Sequence, residues 1–462
     1  MKQFFKKNII FITIVISTII IGGSFYLKNC YQNFLGLIHN KERVLHIAEI
    51  SKKNKENITI SEKERHLWEQ TVKQHLYDDL WNDRDMYDAG HYLMVPLHAA
   101  FKLNEPNWQW QFAKHFRRFT EVAGNNNNVS KGTLNRLHYL YLASRFVVLA
   151  EESGKQKLVP PGLIEILYNE VESLWRNEPA WQWDTESFKG GIRERLTWKL
   201  RNKEVSRSYY RAITDEEIFL FAIASDLRTY ERITKPKILY SSTVTEILDM
   251  AYKVFKRGIV FQKDGGWLFQ PGVWTDHRDY AYVGSMEKIA DMERKPVTGI
   301  AEDSSHSHRF PLWLTSLEGA YREDEPENQY YEKLKKGLEK QFYEKVLVKP
   351  TPDFPAYRAK NFMDGWNGVY RWGYLTAGKN RGYGPYELSG TLTLGWWIFL
   401  DTERIRDVYG EMAKHFPLSS NTIALYVGPN TTRERHPLVK WPESLNNGYS
   451  ELIARLASRF FQ

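Results

Sequence analysis

Leu134-Asn135-Arg136-Leu137-His138-Tyr139-Leu140-Tyr141-Leu142-Ala143, running on to Ala150, carries apolar residues at three- and four-residue spacing with no glycine or proline among them. That spacing belongs to an α-helix, whose 3.6-residue period brings i, i+3 and i+4 to one face. Trp108 to Val122, Leu163 to Trp175, Glu216 to Leu227 and Val244 to Val254 read the same way. Ser61-Glu62-Lys63-Glu64 is a capping box that opens the helical part of the chain, and Val159-Pro160-Pro161-Gly162 leads into another helix. Strand-like alternation is scarce before Ile423 to Val427, and Glu451 to Phe461 returns to a helical pattern. The fold class expected is all-α. Helices joined by loops of uneven length suggest helical hairpins, and hairpins closed into a ring give an incomplete α/α toroid with its cleft at one end. A solenoid of helix pairs would show a regular repeat length, which this chain lacks.

Upstream of these helices, Ile9 to Leu27 is an almost unbroken apolar run behind Lys2, Lys6 and Lys7. About twenty such residues span a bilayer as a helix, and the basic flank places the N-terminus on the cytoplasmic side. No small-x-small cleavage site follows, so residues 1–30 read as an uncleaved signal anchor. The Lys/Asn/Glu-rich residues 31–60 read as a polar stalk, and 61–462 as an exported glycan-active domain, periplasmic or extracellular.

Composition narrows the function classes. Aromatic residues make up 15% of the 462 and include 16 Trp, enough to fill a large core or to line an extended wet groove. The net charge of +8 includes Lys2, Lys6, Lys7 and Lys28; setting those four aside leaves 60 basic against 56 acidic residues. That small excess permits an anionic ligand without demanding one. No basic tract appears, so a nucleic-acid partner is not expected. Cys30 is the only cysteine, which excludes an internal disulfide framework and a Cys-based zinc site in this sequence.

Chemistry-bearing residues concentrate between Asp264 and Trp397, in loops that run into apolar helical segments. Trp267, Trp274, Trp366 and Trp396 are candidate platforms for sugar faces, with His306 and His308 beside them. His306-Ser307-His308 next to Asp303 has a spacing that can bind a metal, with His91, His138 and His277 as further ligands; a helix-start loop before Pro311 accounts for the segment equally well. Asp83, Asp85, Asp88 and His91 read as a subsite or as a solvated start to a helix beginning near Tyr92. Asp184 and Glu186 are too close in sequence to straddle a scissile bond. Tyr280, Tyr282, His277 and Arg309 matter together. β-Elimination at a uronate needs the carboxylate offset, the C5 proton removed and the departing O4 protonated. A Tyr can act as base and then acid when Arg or His stabilises its phenolate, with no metal or organic cofactor.

Asp264-Gly265-Gly266-Trp267, Tyr282-Val283-Gly284, His306-Ser307-His308-Arg309, Phe362-Met363-Asp364, Tyr386-Glu387 through Thr391 and Gly395-Trp396-Trp397 occur in an order that resembles polysaccharide lyases of the hyaluronate/chondroitin/xanthan type. The resemblance covers about 260–400. It implies an α/α-toroid catalytic domain and an acidic polysaccharide substrate, with Tyr282 as base and acid, Arg309 as its electrostatic partner and Glu387 as an orienting carboxylate. The family's histidine position falls on Gln270, with His277 the next available, and Asn135 is the nearest match to its carboxylate-neutralising asparagine. The expectation is a membrane-anchored lyase with no cofactor and no metal. Two alternatives stay open. One is a glycoside hydrolase using acids among Asp83, Asp85, Asp88, Asp184, Asp303 and Glu387; the other is a glycan-binding or envelope-assembly protein without catalysis.

Overall fold

The computed structural model describes residues 60–124, 129–183, 187–202, 204–235, 241–374, 381–430 and 436–460. The expected anchor, most of the stalk, and the pair Asp184 and Glu186 lie outside the described residues. Among the described residues no helix is long and apolar enough to cross a membrane.

Among the described residues the chain is all-α apart from two short antiparallel strand pairs and a few isolated β-bridges. Its first half forms α1 (Glu62–Gln70), α2 (Val72–Tyr77), α3 (Asp83–Tyr92), α4 (Met94–Lys102), α5 (Pro106–Ala123), α6 (Thr133–Glu152), α7 (Leu163–Glu172), α8 (Gly191–Arg201), α9 (Asp215–Thr234) and α10 (Ser241–Gly258). A hairpin of β1 (Ile259–Phe261) and β2 (Trp267–Phe269) follows, with Phe261 opposite Trp267 and Ile259 opposite Phe269. Its turn is Asp264-Gly265-Gly266, where φ is +92° at Gly265, a backbone conformation that favours glycine. Then come α11 (Ser304–Ser307), α12 (Phe310–Gly319), α13 (Pro326–Gln341) and the pair β3 (Leu347–Val348) and β4 (Arg358–Ala359). Two 3₁₀ segments, Ser389–Leu394 and Trp396–Leu400, lead to α14 (Glu403–Lys414), α15 (Ser420–Val427), α16 (Glu443–Asn446) and α17 (Tyr449–Ala457).

Two local expectations are corrected. Residues 423–427 are helical, because Ser419 caps α15 by accepting from the Thr422 amide at 3.2 Å, and the apolar side chains of Ile423 and Tyr426 fall at helical spacing. The acidic stretch at Asp83 begins a helix of its own, α3, nine residues ahead of the start expected near Tyr92, where α4 follows from Met94. Asp83 and Asp85 occupy its first turn, where the helix dipole favours negative charge, and Arg84 reaches Asp88 at 3.6 Å one turn on.

Helix character decides position. In α6 every residue from Leu137 to Glu151 is buried, and α9 is almost as enclosed. A helix buried on all sides must be surrounded by other helices. α6 packs between α3 and α9, and α9 between α6 and α12, while α7, α10 and α13 cover them from outside. Two buried polar side chains of α6 converge on one carboxylate of α9. Arg145 of α6 donates to Asp226 of α9 at 2.7 Å, and Ser144 donates to the same carboxylate at 2.6 Å.

Gly90 lets α3 and α6 approach. A Cβ there would stand 2.7 Å from the His138 carbonyl oxygen, a rigid backbone atom. Gly90→Ala is therefore expected to lower the unfolding free energy by about 1–3 kcal/mol through overpacking, read as a lower midpoint in urea. An unchanged midpoint would mean that the two helices separate freely.

Candidate functional site

The sequence elements of the site come from distant parts of the chain. α3 supplies Tyr87 and His91, one turn apart on one face. The N-terminal end of α9 supplies Asp215, and the turn α11 with the start of α12 supplies His306, His308 and Arg309. The N-terminal ends of α9 and α12 meet where Arg309 Nη1 donates to Asp215 Oδ2 at 2.8 Å. Helix N-termini carry partial positive charge, so this end of the inner helices favours an anion.

Arg309 is 1% exposed, and its fork is fully directed. Nε and Nη2 donate to His91 Nε2 at 3.1 and 3.0 Å, and Nη2 also donates to the Tyr87 phenolic oxygen at 3.1 Å. His91 Nδ1 lies 3.1 Å from the Tyr87 carbonyl, which can only accept. The His91 proton therefore sits on Nδ1, leaving Nε2 to accept from the guanidinium. His138 packs beneath, with ring centroids 4.1 Å from Tyr87 and 4.5 Å from His91. Burial, and then the charge of Arg309, push both His138 and His308 well below the usual imidazole range, so both are neutral at pH 7. His308 Nδ1 donates to the Ser305 carbonyl at 2.7 Å. The histidines thus surround a guanidinium. Among the described residues no group of three or more His, Cys, Asp or Glu is placed to hold a metal ion.

Asp303 organises the neighbouring wall. It caps α11, accepting from the amides of Ser305 and His306, and Tyr280 and Tyr370 each donate a phenolic hydrogen bond to Oδ2 at 3.0 Å. His306 Nδ1 stands 2.8 Å from the same oxygen. Burial opposes ionisation of Asp303, but His306, Arg371 and the Ser305 hydroxyl outweigh it and hold the carboxyl far below its ordinary range. With Nδ1 held by Asp303, His306 presents Nε2 outward, and its side chain is 27% exposed. Glu302, next in the chain, is pushed well above the carboxylate range by burial and by the charges of Asp303 and Asp215.

Three depressions join into one cleft. A narrow pocket of about 80 Å³ is walled by Tyr87, His91, His306, Arg309, Arg371, Glu387 and Trp441. It shares His306 and Arg371 with a depression of about 190 Å³ that also contains Trp274, Tyr280, Glu302 and Asp303. That one shares Trp183, His277 and Arg278 with an outer basin of about 570 Å³ containing Trp181, Arg207, Tyr209 and Arg294. Arg371 sits at the first junction, paired with Asp279 at 2.9 Å. The cleft is aromatic along its length; its outer basin is basic, with Arg207, Arg278 and Arg294 against Asp276, whereas the middle depression sets Asp215, Asp279, Glu302 and Asp303 beside Arg278 and Arg371.

Against the sequence-predicted residues, the structure gathers some and separates others. Arg309, Glu387, His306 and His308 line the narrow pocket, and Trp274 and His277 line the middle of the cleft. Glu387 is held by Lys288 Nζ at 2.5 and 2.7 Å and by the Gly384 amide at 2.7 Å. Burial lowers the pKa of His277, whose Nδ1 accepts from the Asp279 amide at 3.3 Å. Tyr282 lines none of the three depressions, and the tyrosine that Arg309 contacts is Tyr87. Asn135, half-buried in the first turn of α6, also lies off the cleft wall. Trp267 is a core side chain that donates to the Leu334 carbonyl at 2.7 Å. Trp396 lies behind the site, donating to the His91 carbonyl at 2.8 Å. Trp366, 38% exposed, donates to the Val283 carbonyl at 2.5 Å and stands apart from the cleft. Gln270 bridges the Ile213 backbone on both sides, at 2.9 and 2.7 Å.

Sequence reading missed Tyr87, Asp215, Glu302, Tyr370 and Arg371. The i, i+4 pairing of Tyr87 with His91 was a usable signal once α3 is drawn through Asp83. Arg371 gave none, since it lies in an irregular segment at φ +53°. No family model, curated protein or solved structure matches this chain.

Proposed function

We propose that this protein is a polysaccharide lyase that cleaves an acidic, uronate-containing glycan by β-elimination, exported and held at the membrane by its N-terminal segment. The observation that carries the reading is the convergence of Arg309 on Tyr87, opposite an Asp303–His306 pair, in a cleft lined by arginines and aromatic rings. Arg371 offsets the uronate carboxylate, which makes the C5 proton acidic. His306 Nε2 removes that proton, with Asp303 fixing the ring and stabilising the imidazolium. The electron pair forms the C4–C5 double bond, and the C4–O4 bond breaks as Tyr87 gives its phenolic proton to O4. Arg309 then faces the phenolate until the proton returns from His306 through solvent. Tyr87 takes the acid half of the part that the family resemblance gives to Tyr282, and His306 the base half.

An α/α toroid suits this reading. The inner packing runs from α3 to α6, α9, α12, the 396–400 segment, α14 and α17, and returns through α4 to α3, with outer helices against several members.

The test is ultraviolet absorbance of the unsaturated uronate product, using the full chain and a panel of acidic polysaccharides. A rise is expected, reduced roughly 10²–10⁴-fold in Tyr87→Phe. A rise unaffected by Tyr87→Phe would remove Tyr87 from the reaction. A glycoside hydrolase is the second reading, favoured by Glu302, a carboxyl pushed well above the carboxylate range beside Asp303, which is held far below it, the divergence that acid and base roles need. New reducing ends without the chromophore, lost in Glu302→Gln, would establish it instead.

A further inference from the structure

The outer basin of the cleft, about 570 Å³, takes no part in the steps written above. Three arginines reach it from three segments: Arg207, just ahead of the 3₁₀ turn Ser208–Arg211, Arg278, which opens the turn Arg278–Tyr280, and Arg294. All three side chains are exposed. Exposed arginines are common and most of them bind only water; the charge balance sets these apart. Arg207 and Arg294 make no ion pair with any described residue. Arg278 has only Asp279, at 3.8 Å, and that carboxylate is already held by Arg371 at 2.9 Å. The one acid among the described lining residues is Asp276, and it is engaged elsewhere, accepting from the Ser208 amide at 2.8 Å and from the Ser208 hydroxyl.

The backbone under these arginines is fixed. The Asp276 bonds tie the segment of Arg207 to the loop that carries Arg278. Beside Arg294, the Lys295 amide donates to the Ala281 carbonyl and the Gly284 amide to the Lys295 carbonyl, each at 2.7 Å. The aromatic wall is equally built. Trp183 meets Tyr209 edge-on at 5.2 Å and Trp274 edge-on at 5.6 Å. Trp181 is 66% exposed, yet its carbonyl accepts from the buried Arg195 at 2.5 Å, so the indole stands out over the basin from an anchored backbone. A flat apolar ring held in water beside unpaired guanidiniums suits a sugar face with a charged substituent.

We propose that the basin is a subsite for a second anionic group of the glycan, a sulfate ester or a further uronate carboxylate, so that charge is recognised at two places along one chain. The inference rests on reading the cleft as the seat of an acidic polysaccharide. With one uronate at Arg371, the sugars beyond the middle depression pass Trp183, His277 and Arg278, which the two depressions share, and reach Arg207 and Arg294. The planar guanidinium fork matches either oxyanion.

The experiment is calorimetric titration of the full chain in a His306→Gln background, where a cleavable probe is not consumed. The probes are hexasaccharides of chondroitin 4-sulfate and of polygalacturonate, with cellohexaose as the neutral control. An anionic probe is expected to bind more tightly than cellohexaose, and Arg207→Gln combined with Arg294→Gln should weaken it about tenfold. Weakening confined to chondroitin 4-sulfate assigns the group as sulfate, and weakening of both probes assigns it as any oxyanion. Both arginines are exposed, so an unchanged melting temperature will show that the double variant is folded. Anionic probes bound no better than cellohexaose, or bound equally well by the double variant, would overturn the proposal. The lyase reading fails separately. With His306 intact, no ultraviolet signal alongside arginine-dependent binding would remove the reaction and leave the subsite, whereas elimination at an unchanged KM in the double variant would do the reverse.

Discussion

His306→Gln is expected to lower turnover of an acidic glycan by a factor of roughly 10²–10⁴, the usual contribution of a positioned acid or base. Glutamine keeps a donor for Asp303 but has no ring nitrogen to take a proton. The glutamine amide keeps one hydrogen bond to the buried Asp303 carboxylate but not the ring's charge, so unfolding free energy should fall by about 1 kcal/mol, less than in Asp303→Asn. Asp303→Asn should act on the same step with a different accompaniment. It replaces an acceptor that Tyr280, Tyr370, His306 and the α11 amides all share, so it lowers stability as well as rate. The pH dependence follows from the sign of the shift. The Asp303 carboxyl is depressed in the folded state, so its stabilising contribution is present in full above the unfolded value, about 3.9. It is lost as pH falls below that value toward the folded one. Urea midpoints of the unsubstituted protein should therefore fall more steeply below about pH 4 than those of Asp303→Asn. Parallel curves would mean that Asp303 is not held ionised by its surroundings.

Arg309→Met should be the most damaging single change in the site. The guanidinium serves Asp215, His91 and Tyr87 from a buried position, and removing it leaves a carboxylate and a lone pair without their donor. Breaking a buried ion pair from one side costs about 3–5 kcal/mol. Turnover should disappear with it, because nothing then faces the Tyr87 oxygen as its proton leaves. Arg309→Lys keeps the charge but not the fork, and is expected to recover part of the stability without the activity. Adding Asp215→Leu to Arg309→Met should cost less than the sum of the two single changes, since the second removes the carboxylate that the first stranded. Additive losses would indicate that the pair makes no net contribution to the fold.

Much of the helical architecture was legible in the sequence because apolar spacing is a strong local signal. The segments at 108, 134, 163, 216 and 244 all became helices, and the Ser61 box formed as read. The errors arose where local signals compete. The acids at Asp83 resemble a loop until their place in a first helical turn is recognised, and Ile423 to Val427 is too short to separate strand from helix by periodicity. The site was partly legible. Arg309, His306 and Asp303 lie within seven residues of one another, so their neighbourhood was visible, whereas the partners of Arg309 come from α3 and α9, more than ninety residues away. No spacing rule reaches across such a separation. The tryptophans failed as platform markers for a simple reason: an indole that donates to a buried carbonyl, as Trp267 and Trp396 do, looks the same in sequence as one facing a groove.

The central claim, elimination at the Arg309–Tyr87–His306 cleft, is tested most directly by the masses of the products. A defined acidic oligosaccharide would be incubated with the full chain, with His306→Gln in parallel, and the fragments weighed by mass spectrometry. Elimination predicts two fragments whose masses add up to the parent, one carrying the C4–C5 double bond, and almost none of either with the variant. Fragments that together exceed the parent by one water, or identical fragments from the variant, would contradict it.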